Sequence, residues 1–166
     1  MQSRLIAIGV FLVALVVGVI VISASGDEED GGAPAEISTD LSERPVIEVP
    51  DEAPPAELVT EDIVVGDGPR AQTGDRVEMQ YVGVSYSTGD EFDASWDTGQ
   101  PIPVTLGAGE VIPGWDEGIP GMREGGRREL IIPPDLAYGA QGRPPAIGPN
   151  ETLVFVVDLV DVKPAG

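Results

Sequence analysis

The sequence predicts an α+β fold in which a β-sheet covers one short helix. Trp115, Ile119 and Met122 are spaced i, i+4, i+7, so they share one face of a short helix. Such a helix cannot bury that face alone, and residues 77–85 and 153–162 on either side have strand-like patterns that provide cover. We therefore expect the Trp115 indole to form the floor of the hollow that the sheet leaves.

Composition excludes several classes of function. The length of 166 residues favours one domain with appended segments. The net charge is −20 with 9 Lys and Arg residues, which excludes nucleic-acid binding because a row of phosphates would not be neutralised. Cys and His are absent, which removes disulfides, thiolate nucleophiles and most metal ligands and catalytic bases. We expect no metal site and no cofactor.

Residues 1–25 are predicted to be an apolar helix that serves as a signal peptide or signal anchor. Residues 5–22 are 18 residues without a charge, longer than the ~7–15 of a secretory signal core and close to the ~20 of a spanning helix. Arg4 before the run and the acidic residues 27–30 after it orient its start towards the cytoplasm. An uncleaved anchor is favoured, with the folded domain at the cell membrane and outside the cytoplasm. Cleavage near the small residues 23–25 would instead make the protein secreted.

Residues 26–56 are predicted to be a disordered linker. They are acidic, contain five prolines and have almost no aromatic side chains. Such a segment does not bury enough apolar surface to offset the entropy of ordering it. If flexible, it would span on the order of 30 Å and hold the next domain clear of a bilayer. The acidic run 27–30 lacks the spacing of a calcium-binding loop, so a solvated charge run is the favoured interpretation.

Residues 57–166 have the pattern of a packed domain, and its first half alternates strands with turns. Val77, Met79 and Tyr81 alternate with polar neighbours, as in a half-buried strand. Gly- and Asp-rich turn signals separate this strand from its neighbours. The predicted strands of this half are residues 61–65, residues 76–85, a strand that begins at residues 91–93, and residues 101–106.

The second half of the domain is predicted to contain the helix and two further strands. Pro120 is expected to end the helix early. Residues 127–132 form a strand that stops at Pro133, since proline cannot donate to a ladder. Residues 152–162 are apolar on both faces, as expected of a central strand. One face carries Leu153, Phe155, Val157 and Leu159, and the other carries Val154, Val156 and Val160.

Two further segments are interpreted from their composition. Residues 137–149 are too rich in Gly and Pro for a helix or an inner strand, and loops of this length are usually functional or disordered. Tyr138 and Ile147 give this loop apolar side chains, so we favour an ordered flap over the hollow. Arg123, Arg127 and Arg128 lie among acidic neighbours, and we expect them at a solvated strand edge.

Five motifs in register resemble one family. They are Tyr81, Phe92-Asp93, residues 110–115 (EVIPGW), residues 133–139 (PPDLAYG) and residues 152–155 (TLVF). In this order and spacing they are similar to the FKBP-type peptidyl-prolyl cis/trans isomerases, over nearly all of residues 58–163. The resemblance implies an antiparallel sheet of five or six strands around one short helix. It also implies an apolar pocket that accepts the prolyl ring of proline-containing polypeptides and binds macrolides such as tacrolimus and rapamycin. We expect a monomer.

The resemblance also implies roles for single residues. Trp115 would form the pocket floor, and Ile112 would offer its backbone N–H to a substrate carbonyl. Tyr138 would donate its hydroxyl to the carbonyl near the bond being turned, and Ile147 would close the rim. Asp93 would be the one ionisable group at the pocket edge. The implied walls are Tyr81, Phe92, Val111, Ile112 and Phe155, and the implied catalytic residues are Tyr81, Phe92, Asp93 and Tyr138.

The chain departs from the family pattern at three positions. Thr98 stands where the family usually has Arg, so the expected ion-pair partner of Asp93 is missing. Ile102 replaces an aromatic wall residue and Ala146 replaces a larger aliphatic one. We therefore expect a looser rim and weaker macrolide binding, with isomerisation retained. The candidates for the missing partner are Arg76, Arg128 and Arg143.

Other functions are open at this stage. Taken singly, each aromatic or aliphatic pocket residue is explained as well by an ordinary core position. A module that binds proline-containing segments without turning them, or a holdase chaperone, is the main alternative. A large apolar insertion after Tyr138 would favour it, and the sequence contains none. A calcium-dependent surface adhesin rests on the acidic surplus alone. Turning an X–Pro bond needs no nucleophile or base, so the lack of His and Cys is compatible with isomerisation.

Overall fold

The computed structural model describes residues 36–166. The predicted signal peptide or anchor, residues 1–25, lies outside the described residues, and so do residues 26–35 of the predicted linker. Between residues 36 and 166, no helix combines the length and the apolar character that crossing a bilayer requires.

Six antiparallel strands of the described chain form one sheet. Its order is β1-β5-β6-β2-β3, and β4 pairs with the first half of β2 while β3 pairs with the second half. The predicted antiparallel sheet is confirmed, and the first strand begins and ends slightly earlier than predicted. The strands are β1 (Val59–Val64), β2 (Arg76–Ser85), β3 (Glu91–Ala94), β4 (Ile102–Thr105), β5 (Arg127–Ile132) and β6 (Leu153–Lys163).

One α-helix, α1 (Pro113–Gly118), packs against β5 in the described residues. Pro113 occupies a first-turn position, where a missing N–H costs nothing. Two glycines let the helix approach the sheet closely. A Cβ on Gly114 would lie 2.4 Å from Ile132 Cγ2, and one on Gly118 would lie 2.3 Å from Leu130 Cδ2. The helix ends before Pro120, as predicted.

The main core lies between α1 and the inner face of the sheet. Trp115, Ile119 and Met122 are all buried there, together with the inner-facing side chains of β6. β6 lies between β5 and β2, which confirms that it is a central strand. On its outer face Val160 is 46% exposed, at the point where the register between β6 and β2 shifts.

The outer face of β6 holds a buried ion pair. Asp158 accepts two hydrogen bonds from Arg127 of β5, at 2.5 Å from Nε and 2.7 Å from Nη2. Arg127 is 0% exposed, so its predicted place at a solvated edge is wrong. The acidic neighbours in the chain gave that prediction, whereas the partner that neutralises Arg127 lies 31 residues away.

Residues 36–50, which we call the strap, lie against the outer face of the sheet. Arg127 donates to the carbonyl oxygens of Ser38 at 2.5 Å and Glu43 at 2.9 Å. Ile47 and Val49 pack on an apolar cluster, which we call the outer cluster. The described part of the predicted linker therefore differs from a tether without specific contacts, and residues 36–166 belong to one compact unit. The outer cluster consists of Val82, Val84, Tyr86, Ala94 and Val154.

Candidate active site

A cavity of about 170 Å³ opens above the indole of Trp115. Four strands (β2, β3, β4 and β6), the start of α1 with the residues just before it, and the loop after β5 contribute to it, so residues far apart in the chain converge there. Eight of the nine predicted site residues line the cavity, and Ile147 does not. Its lining consists of Tyr81, Phe92, Asp93, Ile102, Glu110, Val111, Ile112, Trp115, Tyr138, Arg143 and Phe155.

Aromatic rings set edge to face form the floor and walls. The ring centroids of Trp115 and Tyr81 are 5.1 Å apart, and those of Trp115 and Phe155 are 5.2 Å apart. Phe92 meets Phe155 at 5.5 Å with an interplanar angle of 86°. Edge-to-face pairs at these distances are favourable and hold each ring in one orientation. The cavity therefore has fixed apolar walls before any ligand enters.

Gly83 of β2 makes room for two of these rings. A Cβ at this position would lie 2.6 Å from Phe155 Cε1 and 2.8 Å from Phe92 Cζ. Both distances are well inside van der Waals contact, so a larger residue would displace the walls. No residue pattern indicates this role, because the two rings come from β3 and β6 and their approach depends on strand register.

Asp93 is bound by a tyrosine and not by an arginine. The Tyr81 hydroxyl donates to Asp93 Oδ2 at 2.7 Å. Of the three candidate arginines, Arg128 binds both carboxylate oxygens of Asp62. Arg76 and Arg143 form no ion pair with any residue between 36 and 166.

The hydrogen bond to Asp93 also affects Tyr81. Burial and the bond to the carboxylate raise the pKa of the Tyr81 phenol well above its ordinary value. Tyr81 is therefore protonated at every physiological pH, and its O–H continues to donate to Asp93. This hydrogen bond holds the Asp93 carboxylate at the cavity edge.

Two donors at the cavity have no partner among the described residues. They are the backbone N–H of Ile112, just before α1, and the hydroxyl of Tyr138, in the loop after β5. Both residues are partly buried. The indole Nε1 of Trp115 is buried and also lacks a partner in the described structure. Unpaired donors beside apolar walls favour a ligand that brings a carbonyl oxygen.

Glu110 and Arg143 line the cavity although neither is among the nine predicted site residues, and Arg143 was predicted only as a candidate partner of Asp93. Glu110 is held by the backbone N–H of Thr105, which donates to its Oε2 at 2.9 Å. The Arg143 guanidinium lies 5.9 Å from the centroid of the Tyr138 ring, within the range of a cation–π contact. The position of Glu110 inside the EVIPGW motif was a signal that could have identified it.

Ile147 does not line the cavity itself. It is 2% exposed and belongs to the main core, and it lines a neighbouring groove of about 310 Å³ together with Phe92 and Asp93. Its backbone exchanges hydrogen bonds with Arg143 at 2.9 and 3.0 Å, which gives the loop a fixed shape. The predicted closure of the rim by Ile147 stays a prediction.

Residues 36–166 contain no cluster of three or more potential metal ligands. The cavity is mainly apolar and has three charged groups at its lining. The Asp93 carboxylate is bound to Tyr81, the Glu110 carboxylate is bound to a backbone N–H, and the Arg143 guanidinium lies over the Tyr138 ring. Its chemistry is therefore recognition of an apolar group that carries carbonyl oxygens.

Known proteins resemble this chain over the same residues. A family model described as FKBP-type peptidyl-prolyl cis-trans isomerase matches residues 68–160. An FK506-binding protein of Streptomyces anulatus is 57% identical over 121 residues, which cover 72% of this chain and 98% of the relative. A probable FK506-binding protein of Corynebacterium glutamicum is 50% identical over 118 residues, which cover 71% of this chain and 98% of the relative.

Solved structures agree with the sequence relatives. The crystal structure of FkpA from Escherichia coli is 44% identical with a TM-score of 0.59, covering 66% of this chain and 49% of that chain. The crystal structure of AtFKBP13 is 40% identical with a TM-score of 0.59, covering 64% of this chain and 93% of that chain. Together with the cavity, these matches establish that the chain belongs to the family of FKBP-type peptidyl-prolyl cis/trans isomerases.

Proposed function

We propose that this isomerase turns X–Pro bonds in the cavity above Trp115, with the prolyl ring on the indole. The observation that carries the proposal is the union of fixed aromatic walls with two unpaired donors at one cavity. In this proposal the backbone N–H of Ile112 and the hydroxyl of Tyr138 donate hydrogen bonds to substrate carbonyl oxygens. The proposed walls are Tyr81, Phe92, Val111, Ile112 and Phe155.

The proposed mechanism follows from the peptide bond itself. Amide resonance gives the bond a rotation barrier of about 18–20 kcal/mol, and uncatalysed X–Pro exchange takes tens of seconds or longer. The planar ground state is the more polar one, so an apolar cavity disfavours it relative to the twisted amide. A donor that is aligned with its acceptor only in the twisted geometry lowers the barrier further, because it then binds the transition state more tightly than the ground state.

The required stabilisation is modest. Shortening tens of seconds to milliseconds takes about 5–6 kcal/mol, since each 1.36 kcal/mol is a factor of ten. One hydrogen bond that is made only in the transition state contributes about 1 kcal/mol, and more if it forms away from water. Apolar walls and two donors are therefore the kinds of interaction that this stabilisation requires, and no covalent step is needed.

Tyr138→Phe tests the role of the hydroxyl. We expect kcat/KM for a proline tetrapeptide in a protease-coupled assay to fall about 3- to 10-fold, as for one lost transition-state hydrogen bond. Tyr86→Phe is the matched control, because Tyr86 is a buried tyrosine of the outer cluster and is absent from the cavity. Equal activity of both variants would exclude Tyr138 as a donor, and a wild-type chain without turnover would favour a proline-binding holdase.

The same cavity is proposed to bind macrolides of the tacrolimus and rapamycin type. Two curated relatives are named for FK506 binding, and the apolar walls support a ligand of this class. Ile102 in place of an aromatic wall residue supports weaker binding than in typical family members. Inhibition of turnover by rapamycin is the measurement, and turnover that is insensitive to saturating rapamycin would contradict the proposal.

Export to the cell surface is proposed from residues 5–22 and the charges that flank them. The isomerase would then act on proline-containing exported polypeptides, either anchored or secreted. Fractionation of cells that produce the full chain, compared with a chain lacking residues 1–25, is the test. Recovery of the full chain in the cytoplasm would contradict the proposal.

A monomeric state is proposed as well. The exposed large hydrophobic residues between 36 and 166 are Val46, Val59, Val65 and Val160, and each is a single valine on a different segment. Scattered residues of this kind are normal on monomers and do not form an extensive apolar patch. Light scattering coupled to gel filtration is the measurement, and a stable dimer mass would contradict this proposal.

A further inference from the structure

β3 is a short strand that forms one wall of the cavity, and it pairs with a neighbouring strand on one side. It has four residues, lies at the edge of the sheet and pairs with β2 through a ladder that contains a register shift. Phe92 and Asp93 both stand on it, and both line the cavity. A displacement of β3 would therefore move an apolar wall and the carboxylate of the site together.

Arg44 of the strap contacts both ends of residues 91–97, the segment that consists of β3 and the three residues after it. Its Nη2 lies 2.5 Å from Glu91 Oε1, and its Nη1 lies 3.2 Å from Asp97 Oδ1. Glu91 precedes the Phe92-Asp93 pair and Asp97 follows it. One guanidinium therefore joins the two ends of residues 91–97 and limits how far the backbone between them moves from β2.

The strap that carries Arg44 is itself fixed to the sheet. The carbonyl of Glu43, one residue before Arg44, accepts a hydrogen bond from the buried Arg127 at 2.9 Å. Pro45, one residue after it, is buried. Ile47 packs against the outer cluster, to which Ala94 at the end of β3 belongs. These contacts with the centre of the sheet fix the position of Arg44, and Arg44 in turn contacts residues at the edge of the sheet.

We propose that Arg44 is a positioning residue of the isomerase site, which acts through Glu91 and Asp97 to hold Phe92 and Asp93 in place. The inference rests on the proposed role of β3 as a wall of the reacting cavity. The three charged side chains are 42%, 39% and 61% exposed, and ion pairs of this kind contribute little to global stability. Their effect is on the local geometry of β3, where a small misplacement lowers the rate.

The first test compares Arg44→Ala and Arg44→Lys in the full chain. We expect Arg44→Ala to lower kcat/KM for a proline peptide about 3- to 10-fold through misplacement of the wall, with Tm nearly unchanged. Arg44→Lys restores part of the activity, since its ammonium keeps a positive charge beside Glu91 and Asp97 without the two separate N–H groups of the guanidinium fork. High salt lowers wild-type activity towards that of Arg44→Ala and affects the variant less, because exposed pairs are screened.

Hydrogen–deuterium exchange gives a readout independent of activity. Residues 91–97 exchange faster in Arg44→Ala than in the wild type, whereas the amides of β6 do not change. Lys163→Ala is the matched control, because Lys163 is also an exposed cation that pairs with two carboxylates, Glu78 and Asp161 at 3.0 Å each. It leaves both kcat/KM and the exchange of residues 91–97 as in the wild type.

The outcomes separate this inference from the proposed function. A wild-type chain without isomerase activity overturns the proposed function itself. An active wild type with an equally active Arg44→Ala overturns the positioning role alone. A loss of activity that is matched by a large fall in Tm, or by faster exchange throughout the sheet, also overturns it, because the strap would then act on folding and not on β3.

Discussion

Asp93 shows how one residue of the site was predicted while its partner was not. The sequence motif located Asp93 at the cavity edge, and an ion-pair partner was sought among arginines. The partner is Tyr81, which lies two residues along β2 from Gly83, the residue opposite Asp93. Diagonal neighbours on one face of an antiparallel pair are within reach of a long aromatic side chain. The choice of partner depends on strand register, which a residue pattern does not determine.

Gly83→Ala is expected to impair the cavity without unfolding the protein. The new methyl group would lie 2.6 Å from Phe155 and 2.8 Å from Phe92, so both rings must shift. Overpacking of this kind costs about 1–3 kcal/mol of stability. Because the displaced rings are the cavity walls, we expect kcat/KM to fall about tenfold or more for a wall moved by roughly 1 Å. The measurements are protease-coupled turnover and thermal unfolding.

Gly148→Ala is the control for that substitution. Gly148 belongs to the loop after β5, and a Cβ there meets no other atom within 4 Å. It should leave both turnover and Tm close to the wild-type values. Wild-type activity in Gly83→Ala would show that the walls tolerate displacement, which contradicts the view that their fixed geometry matters.

At the scale of elements, the β1–β5 pair contains an unfavourable contact. Glu61 of β1 lies directly opposite Glu129 of β5. Burial, and then repulsion from Glu61, raise the pKa of the Glu129 carboxyl. The adjoining groove is also acidic, and of its carboxylates Asp62 is paired with Arg128, which does not line the groove. Its other carboxylates are Glu36 and Glu48.

Glu129→Gln is therefore expected to stabilise the protein at neutral pH. A raised pKa means that the folded state holds the proton more tightly than the unfolded state. Wild-type stability then falls as the pH rises from the unfolded pKa near 4.5 through the raised folded value. Removing a directly opposed like charge returns about 0.2–1 kcal/mol above that window. Urea unfolding at pH 4 and pH 8 is the measurement.

The variant and the wild type should differ at pH 8 and converge at pH 4, where Glu129 is protonated in both the folded and, in part, the unfolded state. Glu117→Gln is the control, since Glu117 is an exposed residue of α1. It removes the same charge from the same acidic chain without relieving a cross-strand pair. An equal gain in both variants would assign the effect to net charge and not to the Glu61–Glu129 contact.

Strands and the helix were predictable because their local signals agree with the packing. Alternation at Val77, Met79 and Tyr81 matches the inner face of β2, and Pro120 follows the observed end of α1. Arg127 was not predictable in the same way. A buried guanidinium is tolerated because Asp158 and two strap carbonyls bind its N–H groups, and all three partners are remote in sequence.

At the scale of the whole molecule, residues 36–50 of the predicted linker contact the folded domain. Residues 36–56 have few apolar side chains, and composition alone predicts disorder for them. The sheet supplies what the segment lacks, namely an outer cluster for Ile47 and Val49 and a buried donor for the carbonyls of Ser38 and Glu43. The ordered conformation of this segment therefore depends on its contacts with the sheet and not on its own sequence.

Two truncated chains test that conclusion. A chain of residues 57–166 matches the predicted domain boundary, and a chain of residues 36–166 retains the strap. Without the strap, Arg127 loses two carbonyl acceptors while remaining on the outer face of the sheet, and a hydrogen bond from a charged group contributes about 1.5–3 kcal/mol. We expect residues 57–166 to unfold about 10 °C or more below residues 36–166 in a thermal scan.

Activity measured at low temperature separates the two functions of the strap. At a temperature where both chains are folded, residues 57–166 should retain the cavity but show the same partial loss of kcat/KM as Arg44→Ala, because Arg44 is missing. Equal Tm values would show that the strap is not part of the folded unit. Full activity in the shorter chain together with a lower Tm would limit the strap to stability, since β3 would then keep its position without the cation that joins Glu91 to Asp97.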